Sequence, residues 1–413
     1  MLRGRFSVKK KWFSRVGSLF CFVTVTSTVA LSCGKSTPHG KLQTVHIPQS
    51  PVGEQSTGNC WTYAYSGWLE SLRIRNLGPS AALTFSETYL LYRAFEEQLL
   101  VPRGPRSKKL DILKASGDWF HFKRLVKKNG MMLDEHFRGL DGAPVPEKRQ
   151  GEALAFLNAE IKKDAVSAWL NDVNLSAPER QMRVQSLLDE AFQIEFKTLE
   201  RHILKTEDIE FGKVANGSRL TLATVLETWK LVDWKSSAEA PASMPLPFTE
   251  EVNSPERIAL LKRVKKALNQ GYPVVFNWFA DYNARDQNGV FSLDLLKQNG
   301  PGKHGPHATI LVDYTVKGVD PRTGVSFEVG IGNATPEQKK LAEEFGEIDS
   351  FLVKNSWGIG AEGSLFLHGS FGYHRIMKDY LFAQVLAKSE TTGVVTGKAT
   401  VLRSFLLPVE MEE

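Results

Sequence analysis

The sequence predicts an α+β fold: a helical half first, then a charged helical insertion, then an antiparallel β half. Three observations carry this. Apolar residues recur at helical spacing from Cys60 to Leu72, and helical runs return after Ser86 and Trp119. From about Gly142 to Glu251 the texture changes to charged amphipathic runs. After Pro255 come "YPVVFNW", "HATILVDYTV", "VSFEVGIGN" and "DSFLVKNSWG", rich in β-branched and aromatic residues. Runs of helices followed by runs of strands predict α+β rather than an alternating parallel fold.

The N-terminus begins with Arg3, Arg5, Lys9, Lys10, Lys11 and Arg15 and no acidic residue, followed by an apolar stretch from about Val16 to Leu31. That stretch is short and Ser/Thr-rich for a spanning helix and ends in small residues, as an export signal does. The expectation is a signal peptide over residues 1–32 and an exported protein. "ALSCG" resembles a bacterial lipoprotein box, although Ala30 stands where leucine is usual. This implies lipidation at Cys33, a membrane partner through that anchor, and a place in the cell envelope; ordinary cleavage nearby is the alternative. Residues 33–52 then read as a tether, 53–388 as the main domain with 142–251 as its helical insertion, and 389–413 as a C-terminal extension.

The formal charge of +6 is carried entirely by the six basic residues ahead of Cys33. The neutral remainder gives no general electrostatic reason to bind nucleic acid. Of three cysteines, Cys21 leaves with the signal and Cys33 is acylated on this reading, so Cys60 stands alone and no disulfide framework is expected.

In the helical half, Trp61, Ala64, Tyr65, Trp68 and Leu72 form one apolar stripe on a helix opened by Cys60. A second helix starts with Ser86 as cap, and a third runs from about Trp119 to Lys128, stopped by Asn129-Gly130. In the insertion, Ser176 and Glu179 have capping-box spacing, and "RLTLATVLETWKLVDW" (219–234) reads as a further helix. The basic helix after Pro255 stops at Gly271, and its Lys262, Arg263, Lys265 and Lys266 read as a solvated face.

Cys60 could be packing alone, since a free cysteine behaves as a small hydrophobe. At a helix start, however, a thiol is expected to have a lowered pKa and more thiolate. His307, opening "HATILVDY", is the candidate base, and Asn355 in "VKNSWG" is the group that would orient it. Trp357 would shield that hydrogen bond from water. Gln55 and the backbone N–H of Cys60 would supply donors to an oxyanion. His304 is a rival base or half of a metal pair, but no ligand set accompanies it; no metal and no cofactor are expected.

"QSTGNCW", "HATILVDY" and "NSWG", in that order, resemble the papain superfamily of cysteine peptidases. The resemblance implies a two-lobed fold with Cys60 as nucleophile, His307 as base, Asn355 as orienter and Gln55 as oxyanion donor, acting on peptide or protein substrates. Cys60 and His307 lie 247 residues apart, against about 130–150 in papain-like sequences. An insertion between the halves, together with "FSETYLLYR", "SGDWFHFKRLVKKNGMM", "RLTLATVLETW" and "ALNQGYPVVFNW", is similar to the bleomycin hydrolase and aminopeptidase C branch. The resemblance covers roughly Gly53 to Leu381 and assigns Gly117 and Trp357 to the substrate groove. It departs in four places. Gln55 and Cys60 are five residues apart, one fewer than usual; Ser116 replaces a glycine; "NATPEQKKLAEEFGEID" is extra; and the ending "SFLLPVEMEE" has no match. Endopeptidase and aminopeptidase action both stay open, as do a transpeptidase using the same site and a non-catalytic peptide-binding module. The sequence is silent on oligomeric state.

Overall fold

The protein is described from a computed structural model covering residues 47–101, 113–214, 217–234, 247–249, 252, 254–330, 332, 334–359, 372–388 and 395–411. The signal segment 1–32, Cys33 and most of the 33–52 tether lie outside the described residues. Residues 47–52 are not a free tether. Ile47 is fully buried, and Ser50 Oγ accepts a hydrogen bond from Lys354 Nζ at 2.8 Å.

Helix α1 (Cys60–Leu77) runs through the helical lobe and packs against α2 (Glu87–Leu100) and α3 (Trp119–Asn129). The expected cap of α2 and the expected stop of α3 are present, and α3 has a further cap in Asp118. Ser86 Oγ accepts from Tyr89 N, Asp118 caps α3 through His121 N, and Gly130 closes α3 at φ 71°. The single apolar stripe expected on α1 is too narrow a description. Thr62, Ser66, Glu70 and Ser71 are buried along with the aromatic positions, so the helix is enclosed on nearly every side.

The insertion contains α4 (Lys148–Glu160), α5 (Asp164–Asn171), α6 (Ala177–Phe192) and α7 (Phe196–Leu199). Ser176 caps α6, accepting from Glu179 N at 3.3 Å. A small antiparallel pair follows, β1 (Glu210–Lys213) with β2 (Arg219–Thr221). The single helix expected over 219–234 is instead β2, the seven-residue α8 (Leu222–Thr228) and β3 (Trp229–Asp233). Strand pairing to the far end of the chain overrides the local helical pattern there.

The second lobe contains β4 (Phe248–Thr249), α9 (Pro255–Asn269), β5 (Val274–Asp281), β6 (Val290–Phe291), α10 (Leu293–Asn299), β7 (His304–Val319), β8 (Ser326–Gly330), α11 (Pro336–Phe345), β9 (Glu347–Lys354), β10 (Tyr373–Met377), α12 (Lys378–Leu381), β11 (Ala383–Lys388), β12 (Val395–Thr400) and β13 (Leu402–Pro408). The main sheet has the order β3-β13-β5-β7-β9-β10-β6, with β8 also paired to β7. It is antiparallel except for β10 with β6, so the expected antiparallel sheet is mixed at one edge. β11 pairs with β12 and β4 in a smaller sheet.

Alternation along the strands joins the lobes. Val275, Ile310, Val312, Leu352 and Leu406 face the helical core, whereas Val274, Phe276, Leu311, Phe351, Phe405 and Leu407 face the core under α9 and α10. Both faces are therefore covered. β13 lies between β3 and β5, so residues 402–408, expected in a C-terminal extension, form an interior strand. The extra polar stretch before Asn355 contains α11, with a full capping box between Thr335 and Gln338. The basic face of α9 is not wholly solvated. Lys265 is buried, and its Nζ donates to Ala342 O and Gly346 O at the end of α11, at 2.8 and 2.7 Å.

Candidate active site

Cys60 is the first residue of α1, half-buried, and is a free thiol. It lines a cleft of about 560 Å³ together with Tyr65, Gly117, His307, Asn277 and Ser404, a size that suits a peptide segment. The cleft runs across the sheet. His307 on β7 is in register with Trp278 on β5, which is in register with Leu402 on β13; Ser404 is in register with Asp233 on β3. Strands are spaced about 4.8 Å apart, so this wall extends roughly 14 Å from His307. Leu231, Asp233 and Trp234 from the end of the insertion close its far end with Arg403.

His307 and Asn355 meet as the sequence anticipates. His307 Nε2 and Asn355 Oδ1 are 2.7 Å apart. The backbone N–H of Ser356 also donates to that Asn355 atom, at 2.7 Å. Only an oxygen accepts from both, so Nε2 carries the imidazole proton and Nδ1 is left as the basic nitrogen. The assignment leaves Asn355 Nδ2 buried without a hydrogen-bond partner among the described residues.

Trp357 stacks on the His307 ring with centroids 4.8 Å apart and planes 19° apart, and it is 5% exposed. That fits a shield over the His307–Asn355 bond. Trp357 is not among the residues lining the cleft. Among the described residues its ring lies against the face of the imidazole. Gly117 does line the cleft. A Cβ there would come within 2.6 Å of Trp61 Cε2 and 2.9 Å of His121 Nδ1, so glycine is needed for close approach. The Trp61 indole donates to Ala115 O at 2.7 Å and stacks with His121, fixing this wall to the helix that Cys60 opens.

Gln55 is held differently from the expected oxyanion donor. Its Nε2 donates to Thr57 O at 2.7 Å, its Oε1 accepts from Ser356 Oγ at 2.6 Å, and it does not line the cleft. The physical reason lies in the short loop. Glu54 bridges to Trp357, Gln55 N donates to Ser356 O, and Gly358 N donates to Gly53 O, so residues 53–55 are stitched to 356–358. The five-residue step to Cys60 then turns the amide back along its own loop.

The electrostatics also differ from expectation. Burial pushes the Cys60 thiol up to about 11, outweighing the backbone N–H groups of Ala308, Trp61 and Cys60, which act downward. The helix start does not produce a lone thiolate. Burial pulls His307 down to about 4, and the bond to Asn355 only partly opposes it. Each group alone is neutral near pH 7. Charge separation is favourable only if proton transfer from sulfur to imidazole creates both ions together, each stabilising the other.

His304, the rival base, is three residues from His307 and so on the opposite face of β7. Its Nδ1 lies 2.7 Å from Gly302 O and 3.8 Å from the Asp281 carboxylate, away from the cleft lining. The sequence reading missed Ser356, which ties Gln55 and Asn355 together, and it missed Glu70, Glu87 and Lys354 in the small cavity behind Asn355. Burial raises both carboxyls and lowers Lys354, while the Glu70 charge opposes the shift of the lysine. Glu70 on an otherwise enclosed helix was a readable signal, because a buried charge requires a partner.

No family model and no curated protein matches the chain. Among solved structures it is similar to PepW from Lactobacillus rhamnosis HN001, with 15% identity, 91% of this chain and 83% of that one covered, and a TM-score of 0.47. It is also similar to the clostridial cysteine protease Cwp84 after propeptide cleavage, with 13% identity, 87% of this chain covered and a TM-score of 0.32. The chain spans 54% of that second structure. With both scores under 0.5, neither likeness carries weight in the functional assignment.

Proposed function

We propose that the protein is a papain-like cysteine peptidase with Cys60 as nucleophile, His307 as general base and acid, and Asn355 as the orienting residue. The observation that carries this is the 2.7 Å contact between His307 Nε2 and Asn355 Oδ1, beside a cleft that His307 and a free Cys60 both line. A carboxamide oxygen fixing the tautomer leaves His307 Nδ1 free to take the thiol proton.

In the proposed cycle Cys60 Sγ attacks the substrate carbonyl carbon as its proton passes to His307 Nδ1. The carbon–nitrogen bond then breaks as that proton goes to the leaving amine, leaving a thioester. Water attacks the thioester, giving one proton to Nδ1, and the proton returns to sulfur as the acid product leaves. The backbone N–H of Cys60 is the first oxyanion donor; Gln55 joins it only when its amide turns away from Thr57. Gly117 borders the substrate backbone.

The test is labelling with an epoxysuccinyl thiol reagent, followed by peptide turnover for wild type and Cys60→Ala. Modification mapped to Cys60, with turnover lost in the variant, is expected. An unlabelled Cys60 with equal turnover in both proteins would sink the reading. Blocked and free N-termini on the same peptides then separate endopeptidase from aminopeptidase action.

Export and lipidation of Cys33 belong to the same proposal, supported by the N-terminal sequence alone. In a bacterial host, incorporation of labelled fatty acid is expected in wild type and absent in Cys33→Ser. Equal labelling of both chains would refute the anchor.

A further inference from the structure

Behind the imidazole stand three residues that the proposed chemistry does not use: Tyr282, Arg285 and His374. The Trp357 indole, already stacked on His307, is stacked on Tyr282 at 5.1 Å and 25°. His374 meets it edge-on at 5.2 Å and 62°. The Arg285 guanidinium carbon lies 5.4 Å from the Trp357 ring and 5.7 Å from the Tyr282 ring. Arg285 is held there by its backbone, which follows the turn Tyr282–Ala284 and bridges to Phe291.

The position is a costly one for a cation. Arg285 Nη1 is buried with no hydrogen-bond partner among the described residues, and burial lowers the guanidinium's pKa against the pull of Tyr282 and Asp286. Two aromatic faces offset that cost, because a weakly hydrated planar cation is attracted to the ring quadrupole. Such an interaction also fixes the rings it touches.

We propose that Arg285 is a positioning residue for His307: it clamps Trp357 flat against the imidazole and so keeps water from the bond that sets the imidazole's tautomer and direction. The inference rests on His307 acting as the base proposed above.

The consequence can be read from His307 itself. Its basicity is low because it is desolvated, so loosening Trp357 admits water and moves its pKa from about 4 towards the ordinary value of 6.5. Among the described residues the other ionisable groups around it include Cys60 on α1, His374 on β10 and Arg285, with Tyr65, Asp118, Asp233 and Arg403 also lining the cleft; His304, on the opposite face of β7, is paired with Asp281. His374 is held down to about 3, first by burial and then by the Arg285 charge. It will itself rise when Arg285 is removed, so the two imidazoles must be followed separately.

The experiment has two arms. The first follows assigned imidazole resonances by NMR across pH in a Cys60→Ala background, which needs no catalysis. Arg285→Met is expected to raise the His307 pKa by about one unit, and Arg285→Lys to restore it only in part. The second arm uses the intact thiol. Arg285→Met is expected to lower kcat about three- to tenfold with KM unchanged and to move the acid limb of the profile upward. If Arg285→Met does not fold, Tyr282→Leu removes the other half of the clamp and serves in both arms. An unchanged His307 pKa in whichever variant folds overturns the clamp, whatever the activity shows. A shifted pKa in a chain without peptide turnover keeps the clamp and rejects the peptidase reading.

Discussion

Replacing His307 with alanine is expected to lower kcat/KM for peptide hydrolysis by about a thousandfold, with the melting temperature little changed. The loss is large because burial leaves Cys60 with almost no thiolate of its own near pH 7. In the proposed cycle the imidazole both takes the sulfur proton and gives it to the leaving amine, so its removal stops two transfers. The remaining thiol provides an independent reading. In His307→Ala, alkylation of Cys60 by iodoacetamide should rise steadily with pH towards a midpoint of about 11. In wild type the coupled pair should react faster at pH 7. Asn355→Ala, which removes orientation but not the base, should lose less activity than His307→Ala. Turnover of His307→Ala within tenfold of wild type would place the base elsewhere and remove the central assignment.

Deleting the chain from residue 401 onward is expected to abolish the folded state. β13 is the shared partner of β3 and β5, and its loss leaves two strands with unpaired edges in the middle of the sheet. It also removes Phe405, Leu406 and Leu407, each buried, with Leu406 in the helical-lobe core and the other two in the core beneath the sheet. The expected outcome is an insoluble or molten chain without a cooperative thermal transition. A milder variant keeps the claim measurable: Phe405→Ala should cost about 3–5 kcal/mol in denaturant unfolding. A truncated chain that melts cooperatively at the wild-type temperature would show that β13 is dispensable.

The parts of the protein legible in its sequence share one property, which is that their signals are local. Ser86 starts its helix, and Gly130 and Gly271 stand just past the ends of theirs, because capping uses residues within a few positions of the end. Cys60, His307 and Asn355 each sit in a short recognisable run, so their meeting could be anticipated from three separate strings. What failed depended on distant partners. Trp229–Asp233 has helix-compatible periodicity, but its conformation is decided by β13, about 170 residues later. The ending "SFLLP" reads as an appendage until β3 and β5 are seen on either side of it. Lys265 looks solvated on a helical wheel, yet the α11 carbonyls that bury it lie some 80 residues away. Gln55 is the oxyanion donor that the resemblance implied, in a loop one residue shorter than usual. Its orientation is set by Ser356 and Thr57; both lie in the quoted motifs, but neither string shows that the two meet the same amide.

The position of Cys60 has a consequence for the durability of the protein. Oxidation to sulfenic acid follows thiolate character and exposure, so a sulfur kept protonated by its surroundings is a poor target for peroxide. The same burial that makes this cysteine dependent on its histidine therefore limits oxidation to the moments when its proton has passed to His307. An unfolded chain has no such protection: its thiol titrates near 8.5 and is open to oxidants. Folding and redox survival are thus coupled at a single atom. Copies that fold slowly in oxidising surroundings should accumulate as oxidised, inactive protein, whereas those that close the cleft quickly keep a usable thiol.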